Sequence, residues 1–448
     1  LITFRQPPIF TWQHPKNESR QYKVIIIMQM NSTVNSKPER KPEIIAPAGD
    51  WTSMRAALEE GADAVYFGSD GFNMRAASKG FSPGDFGGIA RLCRSHGARA
   101  YLALNSVIYD SETGEIDAVV SSAKHACLDA VICWDMAVID ACMRHGMPFH
   151  LSTQASVSNF EAVRFYTSLG AKMIVLAREL TLDQAASITA RIQKESLPVT
   201  IECFVHGAMC VAVSGRCFMS QELFGRSANR GECVQPCRRS YLVTDVEDDH
   251  ALEIGIDYVM SPKDLCTITF LDRLYDAGIG AFKIEGRNRS PEYVSTATAC
   301  YRKAVAFIME HRHAEGFHDL YGKFSEDLED ELSRVYNRGF SAGFYFGRPA
   351  GEWARHHGSV ATETKTYVGV VRKYFPRAGV AEILVHARGL DAGETLSIQG
   401  PASGLVTVSG AALHVDDAPV SKVAQGETFT VKCGRVRKND KAYVLTKK

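Results

Sequence analysis

The chain has no charge of one sign to spare, with 51 Lys and Arg against 51 Asp and Glu in 448 residues. Bulk charge therefore selects no nucleic acid, membrane surface or acidic partner, although a local basic patch stays open. No apolar run approaches the ~18 residues of a membrane span. The run VIIIM at 24–28 is far too short and lacks the small-residue cleavage pattern of a signal peptide. The H-E-x-x-H helix, the G-x-S-x-G elbow and a clear Cys/His dyad are also missing, and with them the usual sequence signals of peptidases. Twelve cysteines are too few for a disulfide scaffold in a chain this long. The expected setting is the reducing cytoplasm.

What is present is a repeating theme. From residue 43 a short apolar strand, a turn and an amphipathic helix alternate, with strands expected at 43–47, 63–67, 99–104, 129–133, 148–152, 173–176, 199–205 and 280–285. Eight strands alternating with helices predict an α/β fold, a TIM-like (β/α)8 barrel rather than an open sheet. Residues 1–40 are expected to be a disordered leader or a start-site artefact, and 41–335 the barrel domain. A cysteine-rich insertion after strand seven is expected over 206–270, a Gly- and aromatic-rich linker or wrapping segment over 336–365, and a small all-β barrel, of six strands by count of alternating runs, over 366–448. Active groups of such a barrel belong at the C-terminal ends of strands. The polar residues there are Gly49 and Asp50, Asn105, Asp135, Thr153 and Gln154, Arg178 and Glu179, His206, and Glu285 with Arg287.

Five cysteines fall between 210 and 266. Four follow the spacing Cys210-x6-Cys217-x15-Cys233-x3-Cys237. Four thiolates suit a [4Fe–4S] cluster or a structural zinc, and free or redox-active thiols are the third reading. Tight C-x2-C knuckles are absent, and Gly207, Gly215 and Gly231 flank the pairs as backbone wrapping around a bulky core would require. Cys266 reads as a buried strand-end thiol. Cys93, Cys127, Cys133, Cys142, Cys203, Cys300 and Cys433 read as reduced core thiols. The loop also carries Arg216, Arg226, Arg230, Arg238 and Arg239, a field that suits an anion or an RNA backbone. Phe218, Phe224 and Tyr241 are candidates for base stacking.

The run ECFVHGAMCVAVSGRCFMS over 202–220 resembles the signature of peptidase family U32. APAGD at 46–50, GADAVYFG at 61–68, LSTQAS at 151–156, ANRGECVQPCR at 228–238, KIEGRNRSPEYV at 283–294 and NRGFSAGF at 337–344 extend the resemblance over roughly 43–448. The better understood relatives are oxygen-independent hydroxylases acting on tRNA, ribosomal RNA or quinone precursors. The resemblance implies a [4Fe–4S] cluster on Cys210, Cys217, Cys233 and Cys237. With its extra β-domain and complete Cys233-x3-Cys237 pair, the chain looks most similar to the branch that forms 5-hydroxyuridine at the tRNA wobble position. That branch implies a tRNA partner, a small anionic donor such as prephenate and an electron-donor protein, with no membrane. Alternatives are a ribosomal RNA cytidine hydroxylase of the same family, a collagenase-like peptidase, or a non-catalytic RNA-binding factor. On the hydroxylase reading, Gln154, His206, Lys283, Glu285 and Arg287 are expected to line the barrel mouth. Lys283 and Arg287 would hold carboxylates, and His206 or Glu285 would shuttle protons.

Overall fold

The computed structural model describes residues 41–76, 80–244, 251–254, 260–349, 352–356 and 358–448; the leader expected over 1–40 lies outside them. The chain alternates as expected. It runs through β1 Glu43–Pro47, α1 Trp51–Glu59, β2 Ala64–Gly68, α2 Phe86–Ser95, β3 Arg99–Ala103, α3 Thr113–His125, β4 Ala130–Cys133 and α4 Met136–Arg144. Next come β5 Phe149–Leu151, α5 Phe160–Ser168, β6 Met173–Val175, α6 Leu182–Lys194 and β7 Thr200–Ala208. The cysteine-rich segment holds α7 Met219–Phe224, β8 Tyr241–Thr244, β9 Ala251–Ile254 and β10 Asp264–Cys266. The barrel then resumes with α8 Leu271–Asp276, β11 Ala281–Ile284, α9 Pro291–His311 and α10 Phe317–Ser333.

Strands β1 to β7 and β11 pair in parallel, and β11 closes on both β1 and β7. This is the closed eight-stranded barrel that the alternation predicts. Helix starts are set by small polar side chains that accept the orphan amides of the first turn. Asp50 caps α1, Asp135 caps α4, Asn159 caps α5, and Thr181 with Gln184 forms a capping box on α6. Two of the strand-end polar residues, Asp50 and Asp135, are therefore helix caps rather than groups facing a substrate.

The strands are buried on both faces. Outward residues such as Ile44, Val65, Phe67 and Leu102 join one continuous apolar layer with the helices. Inward positions differ. Ala64, Ala130 and Ala281 leave room in the lumen for Tyr66 and Tyr101, and Glu43, His150, Glu202 and Lys283 are all buried.

The long excursion starts later than expected, after Ala208, because β10 folds back antiparallel on β7 and pairs Asp264 with Ala208. The short strand β12 Phe340–Ser341 adds to β10, and Tyr345 donates its phenol to the Phe204 carbonyl at 2.8 Å. The segment after α10 thus wraps the barrel.

The C-terminal part contains β13 Glu363–Phe375, β14 Val380–Val385, β15 Leu390–Asp391, β16 Thr395–Gly400 and β17 Gly404–Val408. It continues with β18 Leu413–Val415, β19 Ala418–Val420, β20 Lys422–Val423, β21 Thr428–Lys432 and β22 Lys441–Lys447. Eight of these form one antiparallel sheet in the order β17-β16-β22-β13-β14-β21-β18-β19, while β15 and β20 pair separately. The six strands expected from alternation are all present. The additional ones span two or three residues, too short to show a period of two. The core of this part is apolar throughout: Val368, Ile383, Leu396, Ile398, Phe429 and Val444 are fully or almost fully buried. It is pinned to the barrel at Glu292 in the first turn of α9, which accepts hydrogen bonds from Lys365 at 3.0 Å, Ser397 at 3.3 Å and Gln399.

Candidate active site

A cavity of about 160 Å³ opens at the C-terminal ends of the barrel strands, under the cysteine-rich segment. Barrel side chains form its floor: Tyr66, Asn105, Gln154, Arg178, Lys283, Glu285 and Arg287. The segment forms its roof, and Cys210, Cys217, Cys233 and Cys237 all line it. Strand-end placement follows from the parallel barrel, whose strands all point the same way and deliver their last residues to one face.

The floor is a connected polar network. Lys283, on β11, is buried against Glu202 of β7, Nζ to Oε1 at 2.6 Å, and lies over the Tyr66 ring at 4.5 Å. Tyr66 donates to the Ile284 carbonyl at 3.0 Å and to Glu285 Oε2 at 3.2 Å. Glu285 Oε1 pairs with Arg75 at 2.7 Å. Burial alone would push the Glu285 carboxyl up, but Arg75, Arg178 and Arg287 together hold it at about 2. It is therefore ionised at neutral pH. Burial, and then the charge on Glu285, raises the Tyr66 phenol, which stays a donor. Arg287 donates to Asn73 Oδ1 at 3.0 Å. Asn105 joins two walls by accepting from the Met74 amide at 3.1 Å and donating to Gln154 Oε1 at 3.2 Å. The buried Nε–H groups of Arg178 and Arg287 have no protein acceptor. An anion with two acceptor oxygens suits donors of this kind.

The roof is pressed onto this floor by close backbone approaches. Gly231 has φ +84°, and a Cβ there would stand 2.0 Å from the Asn73 carbonyl oxygen; Gly207 has φ +105°, with a Cβ 2.4 Å from that of Glu285. Gly231 lets the segment lie against the loop after β2, and Gly207 lets the end of β7 lie against the Glu285 backbone. Three of the loop arginines also serve the fold. Arg216 donates to the Gln154 carbonyl, Arg230 pairs with Glu112, and Arg238 donates to Ser261 Oγ at 2.6 Å and to the Met209 carbonyl at 2.6 Å. Arg226 and Arg239 are exposed. Tyr241 donates to the Pro236 carbonyl at 2.7 Å and packs within the segment, whereas Phe218 is 73% exposed.

The four thiols are free. The amide of Met219 points to Cys217 Sγ and that of Gln235 to Cys233 Sγ, each at 3.4 Å, and the Ser220 hydroxyl lies 3.8 Å from Cys233 Sγ. Burial raises the Cys237 thiol, Arg238 lowers it, and the other three cysteines raise it through their charge, so the four interact as a group. Among the described residues no three His, Cys, Asp or Glu side chains are gathered as a single metal ion requires. All four cysteines line the one cavity. Four thiolates are a complete donor set for a cubane, which takes one on each iron.

Of the residues expected at the mouth, Gln154, Lys283, Glu285 and Arg287 line the cavity, and His206 does not. Strict alternation would put His206 on the lumen side with Glu202 and Phe204. A bulge between β7 and β11 intervenes: Phe204 pairs with Lys283 and His206 with Ile284, so Val205 is the extra residue. His206 turns outward and packs among Tyr293, Tyr301 and Phe340. Burial, then Arg289, pushes its imidazole down to about 3, leaving it neutral and away from the cavity. The thiol expectations hold for Cys93, Cys133, Cys142, Cys203, Cys266 and Cys300, which are buried, while Cys433 is half-buried at the edge of the β-domain core. Cys127 departs further. It is exposed at φ 58° after α3, in a left-handed position where a helix end places its side chain outside. Tyr66, within β2, and Asn73 and Arg75, in the loop that follows it, escaped the sequence reading because no charged or cysteine-rich pattern marks them.

Residues 49–355 match the family described as Peptidase family U32. The chain belongs to peptidase family U32. This U32 chain is 41% identical over 414 residues to a protein named Collagenase from Porphyromonas gingivalis, covering 91% of this chain and 98% of that one. It is 31% identical to tRNA hydroxylation protein P1 of Bacillus subtilis, over 77% of this chain and 81% of the relative. A 23S rRNA 5-hydroxycytidine synthase of Escherichia coli is 36% identical over 60% of this chain and 40% of its own length.

Proposed function

We propose that the chain is an iron–sulfur-dependent, oxygen-independent RNA hydroxylase that forms 5-hydroxyuridine at the tRNA wobble position with a prephenate-like donor. One observation carries this reading: four cysteine thiols roof the same cavity whose floor is a buried cluster of Arg, Lys and Glu. Cys210, Cys217, Cys233 and Cys237 would hold a [4Fe–4S] cluster, which when bound supplies one-electron chemistry.

The remaining work falls to the chain. Arg178 and Arg287 offer their unpartnered Nε–H groups to the carboxylates of a small dianion. Lys283 keeps its position over Tyr66 through Glu202 and presents a cation to the cavity. Glu285 is ionised and so accepts rather than donates a proton, with Tyr66 as the adjacent neutral donor. Gln154, held through its Oε1 by Asn105, offers its side-chain N–H to a base edge. The roof limits water at the reacting atoms.

The test is anaerobic purification with iron, sulfide and EPR measurement, together with mass spectrometry of tRNA nucleosides from a deletion strain. The expected result is about four irons per chain and loss of 5-hydroxyuridine and its derivatives. Colourless, iron-free anaerobic protein would overturn the redox reading. Cys217→Ser is expected to lose most of the iron while the fold persists. The relative named Collagenase favours a second reading, peptide-bond cleavage, which predicts proteolysis by pure protein whether or not iron is present.

A further inference from the structure

The chain is neutral overall, but its C-terminal domain is not: residues 366–448 hold twelve Lys and Arg against seven Asp and Glu. Eight of the twelve are concentrated at one end of the sheet. Arg372, Lys373 and Arg377 lie at the end of β13 and in the turn after it, and Lys432, Arg435, Arg437, Lys438 and Lys441 lie between the end of β21 and the start of β22. Register brings the two groups together. Val380 pairs with Lys432, Val370 pairs with Lys441, and the Asn439 amide donates to the Val371 carbonyl at 2.8 Å.

All eight are exposed, and none makes an ion pair among the described residues. The acid within this stretch, Asp440, is buried and accepts from the Arg437 amide at 2.7 Å, so it serves the loop. Glu382 sits across from Lys373 and lines, with Arg372, Lys373, Lys438 and Asn439, a shallow groove of about 450 Å³. Side chains held for stability alone would be interspersed with acids, because unscreened like charges repel. Eight cations gathered on one end of an otherwise neutral chain form a surface for a polyanion.

The surface is also placed beside the cavity. Gln399 pairs with Lys441 across β16 and β22 and donates its side-chain amide to Glu292. Glu292 lies in the first turn of α9, whose preceding loop carries the cavity residues Glu285 and Arg287. The basic end thus begins one strand away from the contact that fastens the domain to the rim of the candidate active site.

We infer that this end of the β-domain is a phosphate-backbone docking surface for the RNA substrate, holding the polynucleotide while one base reaches the cavity. The inference rests on the RNA reading above and adds a second, sequence-independent contact to it. Such contacts position a nucleic acid without reading its bases.

The test is the full-length triple variant Lys373→Ala, Arg435→Ala, Lys438→Ala, with Lys172→Ala, Lys194→Ala on the barrel as a charge control. Binding of bulk tRNA is followed by anisotropy across a salt series, and melting temperature reports folding. The triple variant is expected to bind at least ten-fold more weakly at about 150 mM salt, and its log–log salt slope is expected to flatten by roughly two. The control is expected to leave both unchanged. Iron content and product formation at saturating RNA should stay at the unmodified chain's level, with the loss confined to KM. Binding by the triple variant equal to that of the unmodified chain, or no weaker than the control, overturns the inference while leaving the hydroxylase reading intact. So does a triple variant that loses binding to anionic vesicles but not to tRNA. A chain that makes no modified nucleoside, yet loses tRNA affinity in the triple variant, supports the surface and sinks the hydroxylase reading instead.

Discussion

The barrel lumen and the core of the C-terminal domain are both enclosed by β-strands, and they are filled in opposite ways. The fully buried cluster of the domain is Val, Ile, Leu, Phe and Ala, with Tyr374 and Cys433 packed at its edge and Asp440 buried in the loop before β22, and among the described residues it holds no buried ion pair. The lumen buries Glu43, Tyr101, His150, Glu202 and Lys283. A buried ion pair gives little net stability compared with apolar residues of the same shape, since desolvation offsets most of the attraction. The domain core shows what a sheet does when only folding is at stake. The lumen shows what is retained when the end of the barrel must present charge. Its polar column leads from the Glu43–Tyr101 hydrogen bond at 2.9 Å up to Lys283, under the cavity.

The sharpest way to break this contrast is to remove one partner of the lumen pair. Glu202→Ala leaves Lys283 buried and unpaired, and is expected to cost about 3–5 kcal/mol. Glu202→Ala with Lys283→Met is expected to regain most of that stability in urea unfolding and yet leave no product. Phe429→Ala in the domain core costs a similar ~3–5 kcal/mol through a cavity, and is expected to spare the candidate active site. Equal recovery of activity and stability in the double variant would mean that the lumen pair is only structural.

Acid titration sharpens the comparison next. Glu285 sits near 2 in the folded chain against an ordinary 4.5. Its contribution is complete above pH 4.5 and is lost as pH falls from there towards 2, on the order of 3 kcal/mol in all. In the β-domain, Arg388 holds Glu394 below its ordinary value in the same sense, but at a solvated surface worth under about 1 kcal/mol. Glu285→Gln should flatten the acid limb of a stability–pH curve measurably more than Glu394→Gln.

His150 and His206 add a slope at higher pH. Both are pushed down to about 3 by burial. Their neutral forms stabilise the fold fully above pH 6.5, and that stabilisation is lost as pH falls from 6.5 towards 3. His206→Phe is expected to remove part of that slope and to leave turnover unchanged, because the ring faces α9 rather than the cavity. A collapse of turnover at unchanged stability would return His206 to the chemistry. The smallest effect belongs to Cys127→Ser, an exposed thiol outside the cavity, for which iron content and melting temperature should not move.

Much of this was legible beforehand. Eight strands of apolar residues alternating with helices were local patterns, and each strand matches an observed element; the four spaced cysteines line one cavity. Lys283, Glu285 and Arg287 were findable because a parallel barrel sends every strand end to one face. Arg75 and Tyr66 were not, since their importance comes from Glu285, 210 and 219 residues away in sequence. His206 was misplaced because a bulge leaves no mark in a single strand; it exists only as a mismatch between β7 and β11.

The sequence by itself determined the barrel, the run of cysteines and the apolar alternation of the C-terminal strands, because periodicity and spacing are properties of neighbours along the chain. Only the tertiary structure decided which side of the wall His206 takes and which arginines serve the fold. It also decided that two separate basic stretches, 372–377 and 432–441, meet as one surface. Those outcomes depend on register between distant strands, and register is set by the packing of both partners at once.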